Sequence, residues 1–118
     1  FIFYQDLLYQ VIKQPYYINI VHEIISDENT PEGIIQRMAS KKYDLGNGPL
    51  FDICLITGES KRCWLACCFH HIIIDASSVT IFIKNILERY ECLVKQRQFH
   101  YIKTSCDYLE FTQWQKKQ

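Results

Sequence analysis

The apolar positions of this chain change period several times, and each change marks an element. "YYINIVHEII" (16–25) alternates apolar with polar residues and predicts a strand, which "SDENTPEG" then breaks. Thr30 and Pro31 read as a helix start, with the hydroxyl as cap and the proline at the first helical position. Ile34, Ile35, Met38 and Tyr43 supply a short stripe, which predicts a helix of about three turns. "DLGNGPL" (44–50) holds two of the four glycines and a proline, and reads as a tight connection. Two apolar runs in "LFDICLITGESKRCWLACCFHH" flank the turn-like "GESK" and predict a hairpin.

The second of these runs, read as a strand over 61–71, is apolar on both faces. Cys63, Leu65, Cys67 and Phe69 fall on one side, and Trp64, Ala66 and Cys68 on the other. That pattern predicts an interior strand covered on both sides. After "DASS" the period becomes helical. Val79, Phe82, Ile83, Ile86, Leu87, Tyr90, Leu93 and Val94 predict about five turns, ending near Gln96. "RQFHYIK" reads as an extended connection, and Thr104 or Ser105 as the cap of a last helix through "DYLEFTQWQ".

Composition narrows the function classes. A hydrophobic fraction of 48% and an aromatic fraction of 14% argue for a packed core in one domain or part of a larger one. Thirteen basic residues balance thirteen acidic ones, so no electrostatic footprint points to nucleic acid or a membrane surface. No apolar run approaches the ~20 residues of a bilayer span. The opening "FIFYQDLLYQ" lacks a basic leader and reads as the cut end of a longer chain. Along a strand, Cys63 and Cys67 stand roughly 13 Å apart, too far for a disulfide or a shared zinc ion. The six cysteines are therefore expected to be buried, reduced core thiols of a cytoplasmic protein, with no metal site.

The chemistry gathers in "FHHIIIDASS" (69–78), where a buried strand runs into the long helix. Strand period sends His70 and His71 to opposite faces, so the two have different roles. Asp75 stands where the chain enters the helix, near the positive end of its dipole. Two readings are open for these residues. In one they are structural, with Asp75 capping the amides of Ser77 or Ser78 and the histidines satisfied as buried polar groups. In the other, His71 faces a cavity and works as a general base. Ser77 and Ser78 have no G-x-S-x-G elbow around them and do not read as nucleophiles.

His70-His71-Ile72-Ile73-Ile74-Asp75-Ala76 resembles the H-H-x-x-x-D-G signature of condensation domains of nonribosomal peptide synthetases. These belong with the chloramphenicol acetyltransferase-like acyltransferases, which share H-x-x-x-D. "YDLGNGPLFDICLI" resembles the family's F-D-L-x-x-G-P-L segment, Gln10-Val11 its Q-x-V strand start, and "CDYLEFTQWQ" its D-Y-x-x-W region. There Phe111 takes the usual tryptophan place and Trp114 follows one turn later. Two positions depart from the pattern. Ala76 replaces the terminal glycine, and Asp52 stands where the family commonly has an arginine that pairs with the motif aspartate. Lys61 and Arg62, assigned to the facing strand, are the nearby cations in sequence.

The resemblance implies an α/β fold, a two-layer sandwich with a mixed sheet, of which residues 1–118 form the N-terminal of two subdomains. It implies amide-bond formation in a tunnel between subdomains, with His71 catalytic. His70, Asp75 and Ala76 would support the motif, and Ser77 and Ser78 would line the tunnel. The implied partners are peptidyl or acyl carrier domains bearing phosphopantetheine, together with the C-terminal half of the same domain. No directly bound cofactor is implied. The isolated piece is then expected to be inactive. Two alternatives accompany this reading: an acyltransferase using a coenzyme A thioester with an alcohol or amine acceptor, and a non-catalytic recruitment module.

Overall fold

The computed structural model describes residues 1–14, 17–26, 28–100 and 106–118. The chain divides into two compact units, Phe1–Ala76 and Ser77–Gln118.

The first unit opens with a hairpin that the sequence pattern does not announce. β1 (Ile2–Tyr4) pairs antiparallel with β2 (Leu7–Tyr9), and Gln5 and Asp6 turn the chain at φ of 49° and 61°. Two consecutive positive φ values are what a two-residue hairpin loop requires, usually met by Asn-Gly. Gln10 and Val11 follow β2 in irregular backbone, so the strand start that the resemblance implied there is absent.

β3 (Val21–Ile25) is shorter than the pattern suggested. Pairing begins only at Val21, opposite Cys54; residues 17–20 are unpaired, and Tyr16 lies outside the described residues. α1 (Glu32–Ala39) has two turns instead of three. Pro31 occupies the N-cap position, and no side chain caps the helix amides. Thr30 instead stands beside the Glu32 carboxylate and helps to hold that carboxyl below its ordinary range. The helix closes at Ser40, whose hydroxyl donates to the Gln36 carbonyl at 2.8 Å, and this leaves Tyr43 in a loop, off the apolar stripe.

The tight connection at 44–50 is as expected. Asp44 Oδ1 accepts from the amides of Gly46 at 2.8 Å and Asn47 at 3.3 Å, and Oδ2 accepts from the Asn47 side chain at 2.7 Å. Gly48, at φ 64°, takes the left-handed conformation that glycine adopts without strain.

β4 (Phe51–Gly58) then pairs parallel with β3, and α1 is the crossover that parallel strands need. β5 (Cys63–Phe69) returns antiparallel to β4. The sheet is therefore mixed, in the order β3-β4-β5. Lys61, at φ 64°, closes the hairpin loop together with the bond from the Gly58 amide to the Arg62 carbonyl at 2.8 Å. α1 packs one face: Ile34, Cys54 and Ile56 are buried, flanked by Ile25, Met38, Trp64 and Ala66.

β5 is thus an edge strand of this sheet, not the interior one that its two-sided pattern predicted. Among the described residues of the unit, only the α1 face is covered, and Leu55 and Leu65 on the other face are 36% and 46% exposed. The thiols divide likewise. All six are free, but Cys54 alone is buried, and Cys63 and Cys106 are exposed against expectation.

The second unit is helical. α2 (Ala76–Val94) begins in the last residue of the first unit and carries the expected five-turn apolar stripe. It ends in a Schellman arrangement: Arg97 N–H reaches the Cys92 carbonyl at 2.8 Å, Gln96 N–H the Leu93 carbonyl at 3.2 Å, and Gln96 adopts φ 51°. α3 (Tyr108–Gln115) is capped by Asp107, which accepts from the Glu110 amide at 2.8 Å while the Glu110 carboxylate returns to the Asp107 amide at 3.0 Å. Thr104 and Ser105, expected as its cap, lie outside the described residues.

Candidate active site

The histidine pair leaves β5 through a turn built by His70. The last ladder bond runs from the His70 amide to the Leu50 carbonyl at 2.8 Å, continuing the register that pairs Phe51 with Phe69. The Ile73 amide then returns to the His70 carbonyl at 3.1 Å, closing a four-residue turn with His71 at its second position. His70 secures this turn a second time with its side chain. Its Nδ1 accepts from the Ile72 amide at 3.1 Å, which places the ring proton of the neutral imidazole on Nε2.

The two histidines therefore differ as expected, but for another reason. Both lie beyond the strand, so turn geometry and not sheet alternation separates them. His70 is half-buried and engaged. His71 is exposed at the turn. Among the described residues, no hydrogen bond or ring contact engages the His71 imidazole. Asp75 immediately precedes α2, and Ala76 is its first helical residue, so the alanine methyl meets no left-handed backbone. Ser77 and Ser78 are exposed in the first turn of α2.

Asp52 has its own cation. Lys41 Nζ lies 2.7 Å from Asp52 Oδ1, at the C-terminal end of the α1 region. Neither nearby cation weighed from sequence takes this place. Lys61 forms the hairpin loop, and the Arg62 guanidinium lies 5.5 Å from the Trp64 ring centroid and donates to the Ser60 hydroxyl at 3.2 Å. Both residues precede β5 instead of lying within it. The charge reversal at 52 is thus answered by a lysine that sequence reasoning missed, although an acid facing a sheet interior was the signal that a cation was needed.

Tyr43 was also overlooked as part of the site. Its hydroxyl donates to the Cys68 carbonyl at 3.2 Å, and its ring meets His70 edge-on, with centroids 6.1 Å apart at 84°. Burial first, then the neighbouring Cys68 and Asp52 groups, push the Tyr43 phenol above its ordinary range. The hydroxyl proton is directed at the Cys68 carbonyl. Among the described residues the second Asp52 oxygen, Oδ2, has no hydrogen-bond partner, so the approach of Tyr43 to Asp52 is a close contact without a formed bond.

A cleft of about 370 Å³ adjoins the turn, lined among others by Gln10, Val11, Leu45, Pro49, Leu50 and Ile73. It brings together the Gln10–Val11 stretch, the 44–50 connection and the motif, segments that the sequence keeps far apart. His71 does not line this cleft. Among the described residues, no group of three or more His, Cys, Asp or Glu side chains converges to hold a metal ion, and no helix is long and apolar enough to cross a membrane.

Comparison with known proteins fits this arrangement. A linear gramicidin synthase protein of Brevibacillus parabrevis is 32% identical over 79 residues, 67% of this chain and 2% of that protein. A plipastatin synthase protein of Bacillus subtilis (strain 168) is 37% identical over 62 residues, 52% of this chain and 2% of its own length. The chain thus spans about a fiftieth of these relatives. The crystal structure of the epimerization domain from the third module of tyrocidine synthetase B superposes with a TM-score of 0.69 at 17% identity. That match covers 85% of this chain and 23% of the other, and it establishes the fold as the mixed α/β, chloramphenicol acetyltransferase-like one. The family model described as "Condensation domain" matches residues 2–118, and this chain belongs to that family.

Proposed function

We propose that residues 1–118 are the N-terminal part of a condensation domain that forms an amide bond in its parent protein. The donor is an acyl or peptidyl thioester and the acceptor an aminoacyl amine, each carried on the phosphopantetheine arm of a carrier domain. The observation that carries this reading is the motif turn, in which one histidine is locked and the next is exposed.

In this mechanism the acceptor nitrogen attacks the thioester carbonyl carbon, and an oxyanion forms. The neutral His71 imidazole takes the proton lost from nitrogen, or orients the amine by accepting its hydrogen bond. Collapse of the tetrahedral species breaks the carbon–sulfur bond, and the departing thiolate receives the proton. His70 holds the turn, and Asp75 and Ala76 lead the chain from it into α2, whose first turn carries Ser77 and Ser78. Tethering both substrates raises their effective concentration, which supplements the action of the base.

The test uses the parent protein with loaded carriers. His71→Ala is expected to lower product formation by ~10²–10⁴-fold. Unchanged product formation would leave only a recruitment role. The isolated chain is expected to form no amide bond, because the remaining part of the domain completes the tunnel.

A further inference from the structure

We propose that Tyr43 is a positioning residue for His71, acting through the His70–Ile73 turn; this rests on the reading of His71 as the catalytic imidazole. Tyr43 grips the base of that turn at two points. Its hydroxyl holds the Cys68 carbonyl at 3.2 Å, and its ring edge braces the His70 imidazole at 6.1 Å. That same imidazole accepts the Ile72 amide at 3.1 Å, so the ring braced by Tyr43 is the ring that shapes the chain on either side of His71. Without a lateral contact, rotation about its side-chain torsions would carry Nδ1 away from the amide. The turn would then keep only its backbone bond.

Tyr43 is itself held from both sides along the chain. Lys41 lies 5.6 Å from the Tyr43 ring centroid and pairs with Asp52, and Asp44 ties down the loop that follows. Asp52 and Cys68 are register partners across β4 and β5. One rung of the sheet therefore anchors both Lys41 and Tyr43, one position short of the Phe51–Phe69 rung that ends the strand before the histidines. Burial and the adjacent Asp52 keep the phenol protonated, so its hydroxyl remains a donor.

The experiment is a mutant cycle in the parent protein, reading single-turnover amide formation between loaded carriers, with thermal midpoints as a folding control. Tyr43→Leu removes both grips and is expected to slow the step about 10- to 100-fold, with its dependence on substrate concentration unchanged. Tyr43→Phe keeps the ring against His70 and loses only the hydroxyl bond, so a loss of about three- to tenfold is expected. Neither substitution is expected to slow the His71→Ala protein further, because the residue being positioned is gone. Equal losses in both backgrounds, or wild-type rates for both Tyr43 variants, would overturn the proposal. If Tyr43→Leu does not fold, the Tyr43→Phe cycle alone makes the same comparison. A His71→Ala protein with full activity would instead overturn the catalytic reading itself, which separates the two failures.

Discussion

Replacing His70 with alanine removes two contacts that can be weighed separately. The first is the bond from the Ile72 amide to Nδ1 at 3.1 Å, for which a net contribution of about 0.5–1.5 kcal/mol is typical. The second is the edge contact with Tyr43 at 6.1 Å, for which about 0.5–1.5 kcal/mol applies to well-placed aromatic pairs. His70 is half-buried, so solvent can satisfy part of what is lost, and the expected total is about 1–2 kcal/mol. Asparagine separates the contributions, because its Oδ1 stands close to the position of Nδ1 and can accept the same amide while the ring is absent. His70→Asn should therefore recover roughly half of the loss. Urea unfolding followed by fluorescence of Trp64, near the start of β5, measures both variants. If alanine and asparagine unfold at the same denaturant concentration, His70 is not acting as an acceptor, and the account of the turn fails.

Three further outcomes are expected. Asp52→Arg should face Lys41 with a like charge and lower stability by about 1 kcal/mol, and adding Lys41→Glu should restore it; a urea midpoint unchanged by the single substitution would remove Lys41 as the partner of Asp52. The Tyr43 phenol is raised in the folded state, so between the unfolded value of about 10 and the higher folded value the native protein binds more protons. Stability from this group is complete below the unfolded value and declines as pH climbs beyond it, and Tyr43→Phe should flatten that alkaline decline in pH-dependent unfolding curves. Asp107→Ala removes the side-chain acceptor of the Glu110 amide, leaving only the bond from the residue-107 amide to the Glu110 carboxylate, and should reduce helix content at the C-terminus, with a loss of about 1 kcal/mol read by circular dichroism during melting; an unchanged melt would deny the cap its role.

Where one face or one period dominates, the sequence is a reliable guide. The hairpin of β4 and β5, the helix from 76 to 94 and the tight loop at 44–50 were all legible for that reason. Tertiary partners were not. The two apolar faces of β5 suggested an interior strand, but a pattern records which faces are apolar and not what lies against them. Thr30 read as a cap because a hydroxyl suits that position, yet the helix begins one residue later, with Pro31 at the N-cap. The β1–β2 turn was invisible because Gln5-Asp6 holds neither glycine nor asparagine, and a glutamine at the first positive φ is no turn signal. Within the site, the doublet and the aspartate stood out as chemistry. Lys41 and Tyr43 did not, since a surface lysine and a loop tyrosine acquire meaning only when the fold brings Asp52 and Cys68 alongside them.

The two joints of the mixed sheet close at different entropic cost. β4 and β5 meet across the short loop 59–62, whereas β3 and β4 are brought together across residues 26–50 with a helix in between. By the logarithmic growth of closure entropy with loop length, the longer joint costs about 1–2 kcal/mol more, before any pairing is gained in return. The segment bearing the histidines is consequently attached where the chain finds its own neighbour most readily. The parallel strand is the partner whose pairing has the larger closure cost to offset.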